Sequence, residues 1–162
     1  MLVGCETGVP RIASPKMLFS TATAYALQAL AVLPEDGTYR LAKDLSGDLD
    51  LPGPYLAKIL QTLAQDGILE SLRGPKGGFR LARPAHRITV GDVVAAMEGP
   101  EAFHGCVMGF PECRDENPCP LHDAWSQVKA HMDSSMTQST IRDLQLVRMR
   151  NCAAKEKRKS AS

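Results

Sequence analysis

Apolar residues recur at helical spacing along most of this chain, and the repeat breaks at a few defined points. The first run, LFSTATAYALQALAVL at residues 18–33, predicts a helix with Ser20 or Thr21 as its N-cap. Pro34 and Gly37 follow directly and end this helix.

A short helix and a longer one come next, separated by a break around Gly47. The short helix covers Leu41 to Leu45, and Pro54 lies in the first turn of the longer helix, where proline is tolerated. Gly67 is placed to end the longer helix. The buried stripe of that helix consists of Leu56, Ile59, Leu60 and Leu63, and its polar side of Lys58, Gln61, Thr62 and Gln65.

After residue 67 the helical repeat gives way to alternation, which is typical of β-strands. The runs ILESLR and FRLAR flank the turn GPKGG, and Phe79 and Leu81 alternate with Arg80 and Ala82. Helix, turn, helix and then a β-hairpin is the order of elements in a winged helix-turn-helix. In that fold the second helix enters the major groove of DNA, and a basic hairpin can reach along the backbone or the minor groove.

Helical repeats return on both sides of a stretch that lacks one. The run ITVGDVVAAMEG at 88–99 predicts a small helix, whereas the glycines and prolines of residues 104–120 break any repeat. A further helix begins at Leu121, and a second apolar set follows Ser139. These C-terminal helices carry more apolar surface than one small domain covers, so we predict a homodimer.

The predicted fold class is therefore mainly α with a small β-hairpin, as a winged helix-turn-helix plus a long C-terminal dimerisation helix. Met17 is a candidate for the true start of the chain. We divide the chain into a disordered leader (1–16), a winged helix-turn-helix DNA-binding domain (17–99), a cysteine cluster-binding loop (100–121), dimerisation helices (122–150) and a basic disordered tail (151–162).

Composition narrows the class of protein. The 162 residues suit one domain with an appendage, and the 44% apolar content can form a core. No apolar run reaches the roughly 20 residues that span a membrane, and the first sixteen residues lack the apolar core of a signal peptide. We therefore expect a cytoplasmic protein without a membrane partner, in which thiols stay reduced.

The net charge of +1 conceals separate blocks of charge. Residues 73–87 contain five bases and no acid, whereas residues 98–123 contain six acids and one base. Two alternatives to DNA binding remain. The longer helix could be an ordinary surface helix beside solvated arginines, or the winged helix could be a protein-interaction module that does not bind DNA. Five uncompensated bases on the hairpin favour double-stranded DNA as the partner.

Three of the five cysteines, Cys106, Cys113 and Cys119, lie in the stretch without a repeat, and His122 follows the last by three residues. Clustered thiols in a reducing compartment favour a metal, with zinc or a redox-switch disulfide as alternatives. The neighbouring acids are expected to raise the pKa of a thiol that has no metal. A thiol enzyme is disfavoured because no oxyanion motif is visible, so we predict no catalytic residues.

Together these motifs resemble the Rrf-two superfamily of winged-helix transcriptional regulators, which includes IscR, NsrR and RirA. The matching segments are LFSTATAYALQALAVL, YLAKILQTLAQDGILESLRGPKGGFRLARP, ITVGDVVAAMEGPE and the three spaced cysteines, over roughly residues 18–140. The resemblance implies a dimeric transcription factor whose operator binding responds to an iron–sulfur cluster that senses redox, iron or nitric oxide status.

The resemblance also implies ligands and DNA contacts. It implies that Cys106, Cys113 and Cys119 bind a cluster together with His122, which is the fourth ligand in IscR-like members. A 2Fe–2S cluster is favoured over 4Fe–4S. Zinc is expected to replace the cluster in aerobic preparations. Ala24 stands where NsrR-like members carry a ligating aspartate, and His104 is a further candidate. The implied DNA contacts are Tyr55, Lys58, Gln61, Arg73, Gly74, Lys76 and Arg80, with Ala57 replacing a glutamate of IscR-like members.

Overall fold

The computed structural model describes residues 19–74, 77–100, 102 and 105–160, with side chains described as far as residue 153. In this part of the chain, helices predominate and two strands form one antiparallel hairpin, which confirms the predicted fold class. The elements are α1 (Thr21–Leu30), α2 (Ala42–Leu49), α3 (Gly53–Gln65), β1 (Leu69–Leu72), β2 (Gly78–Leu81), a 3-10 turn (Ala85–Arg87), α4 (Val90–Glu98), α5 (His122–Gln138) and α6 (Ile141–Ser160).

The helix-turn-helix forms, but the break predicted around Gly47 is wrong: α2 runs through Gly47 to Leu49 and ends at Asp50, which adopts a left-handed conformation. Ser20 is the N-cap of α1, and its hydroxyl accepts a hydrogen bond from the backbone N–H of Thr23. Pro54 lies in the first turn of α3, and Gly67 follows the helix with a φ of +70°. The residues of α3 that are buried in the core are the four predicted ones, Leu56, Ile59, Leu60 and Leu63.

The hairpin carries an addition that the alternating repeat does not reveal. Strands β1 and β2 pair antiparallel, and Arg40 forms a bridge to Phe79 through two backbone hydrogen bonds of 2.8 and 2.9 Å. Gly78 has a φ of +129°, and a Cβ there would lie 2.3 Å from the carbonyl oxygen of Arg40. Glycine is therefore required at the base of the wing, where the backbone of residue 40 crosses it.

The C-terminal helices are joined to the same core. Ile141, the first residue of α6, is fully buried, and its N–H donates to the carbonyl of Ile88 over 2.9 Å. Helix α5 packs against α4, which in turn packs against α1 and α3. The loop that precedes α5 is thus connected through packed helices to the helix-turn-helix.

The structure differs from the sequence prediction at the C-terminus. Helix α6 continues to Ser160, whereas residues 151–162 were expected to be disordered. The sequence NCAAKEKRKS contains no glycine or proline and is rich in good helix formers, which extends the helix. The leader 1–16 and Met17 lie outside the described residues. Among the described helices, none is long and apolar enough to cross a membrane.

Candidate metal centre and nucleic-acid interface

The loop between α4 and α5 brings the three predicted thiols together. The sulfurs of Cys106, Cys113 and Cys119 all lie within 4.8 Å of one another, and those of Cys106 and Cys119 are 3.6 Å apart. All three side chains are half-buried. Three soft donors this close fit a thiolate-binding metal such as zinc or the iron of an iron–sulfur cluster.

Both ends of the loop are fixed at the N-terminal end of α5. The indole Nε1–H of Trp125 donates to the carbonyl of Gly105 over 2.8 Å, which holds the residue before Cys106 against the helix. The backbone N–H of His122 donates to the carbonyl of Cys119 over 3.0 Å. Cys106 and Cys119, although thirteen residues apart, are therefore held at the same helix end.

His122 adjoins the thiols and is oriented by a carboxylate. Its Nδ1 lies 3.2 Å from Sγ of Cys113, and its Nε2 lies 2.9 Å from Oδ1 of Asp115. Within the part of the chain that the structure describes, the group of mutually close donor atoms contains only the three thiols, and His122 approaches this group through Cys113. Sequence reasoning treated Asp115 as a repelling charge and missed its contact with the histidine, which depends on the folding of the loop.

The environment of Cys113 lowers its pKa to about 7, first because His122 hydrogen-bonds to the sulfur and then because the backbone N–H of Cys119 donates to it at 3.4 Å. The expectation that nearby acids raise this pKa is therefore wrong for Cys113. The hydrogen bond with Cys113, followed by that with Asp115, raises the pKa of His122.

The pKa of Cys119 moves the other way. A backbone hydrogen bond from Leu121 lowers it, but burial and the thiols of Cys106 and Cys113 together raise the pKa above its usual value. The surroundings thus shift the pKa values of Cys113 and Cys119 in opposite directions.

Helix α3 presents the predicted DNA-contacting side chains to solvent. Tyr55, Lys58 and Gln61 are exposed, and the ring of Tyr55 also lies edge-on to Tyr25 of α1, with centroids 6.0 Å apart. That contact limits the motion of the tyrosine. One exposed face of α3 therefore offers an aromatic ring, a cation and an amide.

The wing is less strongly charged than its sequence suggests. Arg73 and Gly74 are exposed at its tip, and Lys76 lies outside the described residues. Arg80 forms a salt bridge of 2.6 Å with Glu70, its partner across the hairpin, and lies over the ring of Tyr39.

Arg83 reaches Asp92 of α4 at 3.5 Å. The prediction of five uncompensated bases is therefore wrong for Arg80 and Arg83. Their acidic partners come from outside residues 73–87, so that a count of charges within the segment could not find them.

Two further positions bear on the ligand set. Ala24 is buried in α1 and offers no donor atom. His104, the other histidine considered as a ligand, lies outside the described residues. Among the described residues, the group of close donors consists of Cys106, Cys113 and Cys119.

Comparisons with known proteins agree on one family. The sequence model of the Rrf2 family, described as "Iron-dependent Transcriptional regulator", matches residues 19–146. A protein of Aquifex aeolicus assigned as an HTH-type transcriptional regulator is 33% identical over 132 residues, covering 79% of this chain and 91% of the relative. The HTH-type transcriptional regulator IscR of Cereibacter sphaeroides is 31% identical over 146 residues, covering 85% and 93%.

Solved structures show the same fold. CymR, described as the global cysteine regulator of B. subtilis, superposes with a TM-score of 0.66 at 22% sequence identity. The match covers 80% of this chain and 96% of that chain. At this identity the likeness establishes the fold alone. The ligand and the signal of this chain have to be inferred from its own residues.

Proposed function

The chain belongs to the Rrf2 family of transcriptional regulators, and from this premise we propose that its operator binding is controlled by an iron–sulfur cluster held by Cys106, Cys113, Cys119 and His122. The family establishes a DNA-binding helix-turn-helix regulator and excludes an enzyme. The finer proposal is carried by one observation, the approach of three thiol sulfurs to within 4.8 Å of one another.

The donor set suits such a cluster. Thiolates are the usual ligands of iron–sulfur clusters, and an imidazole in the fourth position raises the reduction potential and adds a bond that protonation can break. With three thiols and one histidine we favour 2Fe–2S over 4Fe–4S. When bound, the cluster supplies a centre that oxidants, iron limitation or nitric oxide can alter.

The position of the loop supports a route from the ligands to the DNA-binding face. His122 is the first residue of α5, so holding it with the three cysteines fixes the start of that helix. Helix α5 packs on α4, and α4 packs on both α1 and α3. Because of this packing, we expect that ordering or disordering of the loop on gain or loss of the cluster changes the position of α3.

For DNA we propose that α3 enters the major groove with Tyr55, Lys58 and Gln61, and that Arg73 and Gly74 of the wing contact the adjacent backbone, together with Lys76. Arg80 has a different part. Its salt bridge with Glu70 and its position over the ring of Tyr39 stabilise the hairpin, so we propose a structural role for Arg80 in place of the expected DNA contact.

We further propose that the chain acts as a homodimer in the cytoplasm, where the operator is. Apolar side chains on α5 and α6 are exposed in the single chain, which supports a second copy as the partner that covers them. These side chains are Val128, Leu146, Val147 and Met149.

Anaerobic purification followed by visible and Mössbauer spectroscopy tests the cluster directly. We expect an iron–sulfur spectrum, with the 2Fe–2S form predominant. The same preparation, with and without its cluster, is then titrated against an operator selected in vitro. Equal affinities of the two forms contradict control by the cluster, and zinc without iron in anaerobic protein supports a structural zinc site instead.

A further inference from the structure

The three thiols are not equivalent as redox partners. Sγ of Cys106 and Sγ of Cys119 lie 3.6 Å apart, and a disulfide requires about 2.05 Å, so they need to approach by about 1.5 Å. The hydrogen bond from Trp125 holds Gly105, so the adjustment falls to the cysteine side chains and to the backbone after Cys106, where Gly109 adds conformational freedom. The side chains are half-buried, which leaves them open to a small oxidant.

The sulfur of Cys113 is held by other contacts. It lies 3.2 Å from Nδ1 of His122 and accepts a hydrogen bond from the backbone N–H of Cys119. Both contacts favour a reduced sulfur and weaken when that sulfur enters a disulfide. Stabilisation of the reduced form makes a thiol harder to oxidise at equilibrium.

We propose that, in the absence of a bound metal, Cys106 and Cys119 form an intramolecular disulfide and Cys113 remains a thiol. The oxidant is a small-molecule disulfide such as glutathione disulfide. One cysteine thiolate attacks it and releases one glutathione thiolate; the second cysteine then displaces the other. The two cysteines lose two protons and two electrons in total, and glutathione disulfide is reduced to two molecules of glutathione.

This inference goes beyond the proposed function because it needs no cluster. The same loop then has a second state, in which Cys106 and Cys119 are joined in a disulfide and cannot bind a metal as thiolates. The disulfide and a metal held by all three cysteines are mutually exclusive. An oxidised chain therefore has to be reduced before it can be loaded again.

The connectivity is tested in full-length protein that has been stripped of metal and equilibrated anaerobically in a buffer of reduced and oxidised glutathione. After acid quenching and alkylation, glutamyl endopeptidase and trypsin cut after Glu101, Glu112, Arg114, Glu116 and Lys129. Cys106 is then recovered in AFHGCVMGFPE, Cys113 in CR and Cys119 in NPCPLHDAWSQVK, while the peptides of Cys5 and Cys152 have other masses.

We expect the cross-link between Cys106 and Cys119 to exceed either cross-link with Cys113 by about tenfold, the order expected when a disulfide costs one sulfur its hydrogen bonds. Cys113→Ser should retain the cross-link, and Cys106→Ser should abolish it without an equal yield of the Cys113–Cys119 product. A major product that contains Cys113, a link between two chains, or glutathione alone on the cysteines would overturn the proposal.

Binding of Co²⁺ tests the exclusion of metal. Reduced protein should show the absorption band of cobalt thiolate, and the cross-linked protein should lose it by at least about tenfold, because one thiol remains of three. Equal bands in the two forms would contradict mutual exclusion.

Discussion

The Nε2 atom of His122 lies 2.9 Å from the carboxylate Oδ1 of Asp115, while the opposite ring nitrogen faces Cys113. Once a metal is bound, a proton on Nε2 that is donated to the carboxylate would leave the lone pair of Nδ1 for the metal, whereas in the metal-free loop Nδ1 hydrogen-bonds to the sulfur of Cys113. Histidine ligands of metals are commonly oriented in this way by a carboxylate. The pair thus makes Asp115 a positioning residue for the proposed fourth ligand.

Asp115→Asn should loosen the proposed site, because the amide keeps the shape but loses the charge that holds the imidazole. We expect about tenfold weaker metal retention, measured as loss of iron to a chelator under anaerobic conditions. Glu116→Gln is the matched control, since this exposed neighbour loses the same charge. Equal loss of iron from the two variants would mean that only the general acidity of the loop matters.

Replacement of the proposed fourth ligand should change the electronic properties of the site. His122→Cys supplies a thiolate in place of an imidazole, and we expect the midpoint potential to fall by on the order of 100 mV. Its dependence on pH should also become weaker because the protonatable ligand is gone. A visible spectrum and a midpoint potential identical to those of the wild type would mean that another residue is the fourth ligand.

Lys58→Ala tests the placement of α3 in the groove. Removing the cation that α3 brings to the DNA should weaken operator binding and reduce the slope of log affinity against log salt by up to about 1. Arg150→Ala removes the same charge from the exposed surface of α6, outside the winged helix, and is expected to change the slope less. Unchanged binding by the Lys58 variant would argue against α3 as the recognition helix.

The base of the wing should be intolerant of a side chain at Gly78. Gly78→Ala places a Cβ against the carbonyl of Arg40, and we expect a loss of about 2 kcal/mol or more in the free energy of unfolding. Gly74→Ala is the matched control because Gly74 also has a positive φ, of +109°, but open space around it. Equal losses, measured by denaturant titration, would show that backbone strain alone accounts for the effect.

A carboxylate links the end of α4 to the start of α1. Glu98 accepts hydrogen bonds from the backbone N–H of Ser20 and the hydroxyl of the fully buried Thr23. Burial acts to raise its pKa, but these hydrogen bonds together lower the pKa below its usual value. The contribution to stability is thus complete above the pKa of the unfolded chain and is lost as the pH falls through the folded pKa.

Glu98→Gln should therefore destabilise the protein at neutral pH and matter less in acid. Because the side chain is largely exposed, we expect a loss of only about 1 kcal/mol at pH 7, and this loss should shrink as the pH falls through the pKa of the folded carboxyl. Asp133→Asn, at an exposed acid of α5, provides the control for charge alone. A difference between Glu98→Gln and wild type that stays constant with pH would exclude the carboxylate as its source.

The sequence by itself determined the features that depend on local repeat and spacing. The apolar repeat in α3 gave its buried stripe, and the alternation after Gly67 gave the hairpin, since each residue's environment there follows from its position in a regular element. The spacing of the cysteines likewise identified the three thiols that meet in the loop.

Only the tertiary structure decided which polar groups become partners. Glu70 neutralises Arg80 through strand register, and Trp125 fixes Gly105 across twenty residues. Asp115 turns from a repelling charge into the partner of a histidine only because the loop folds back on α5. Such contacts join residues of different elements in irregular backbone, where no repeat relates one position to another, and the pKa of Cys113 follows from them.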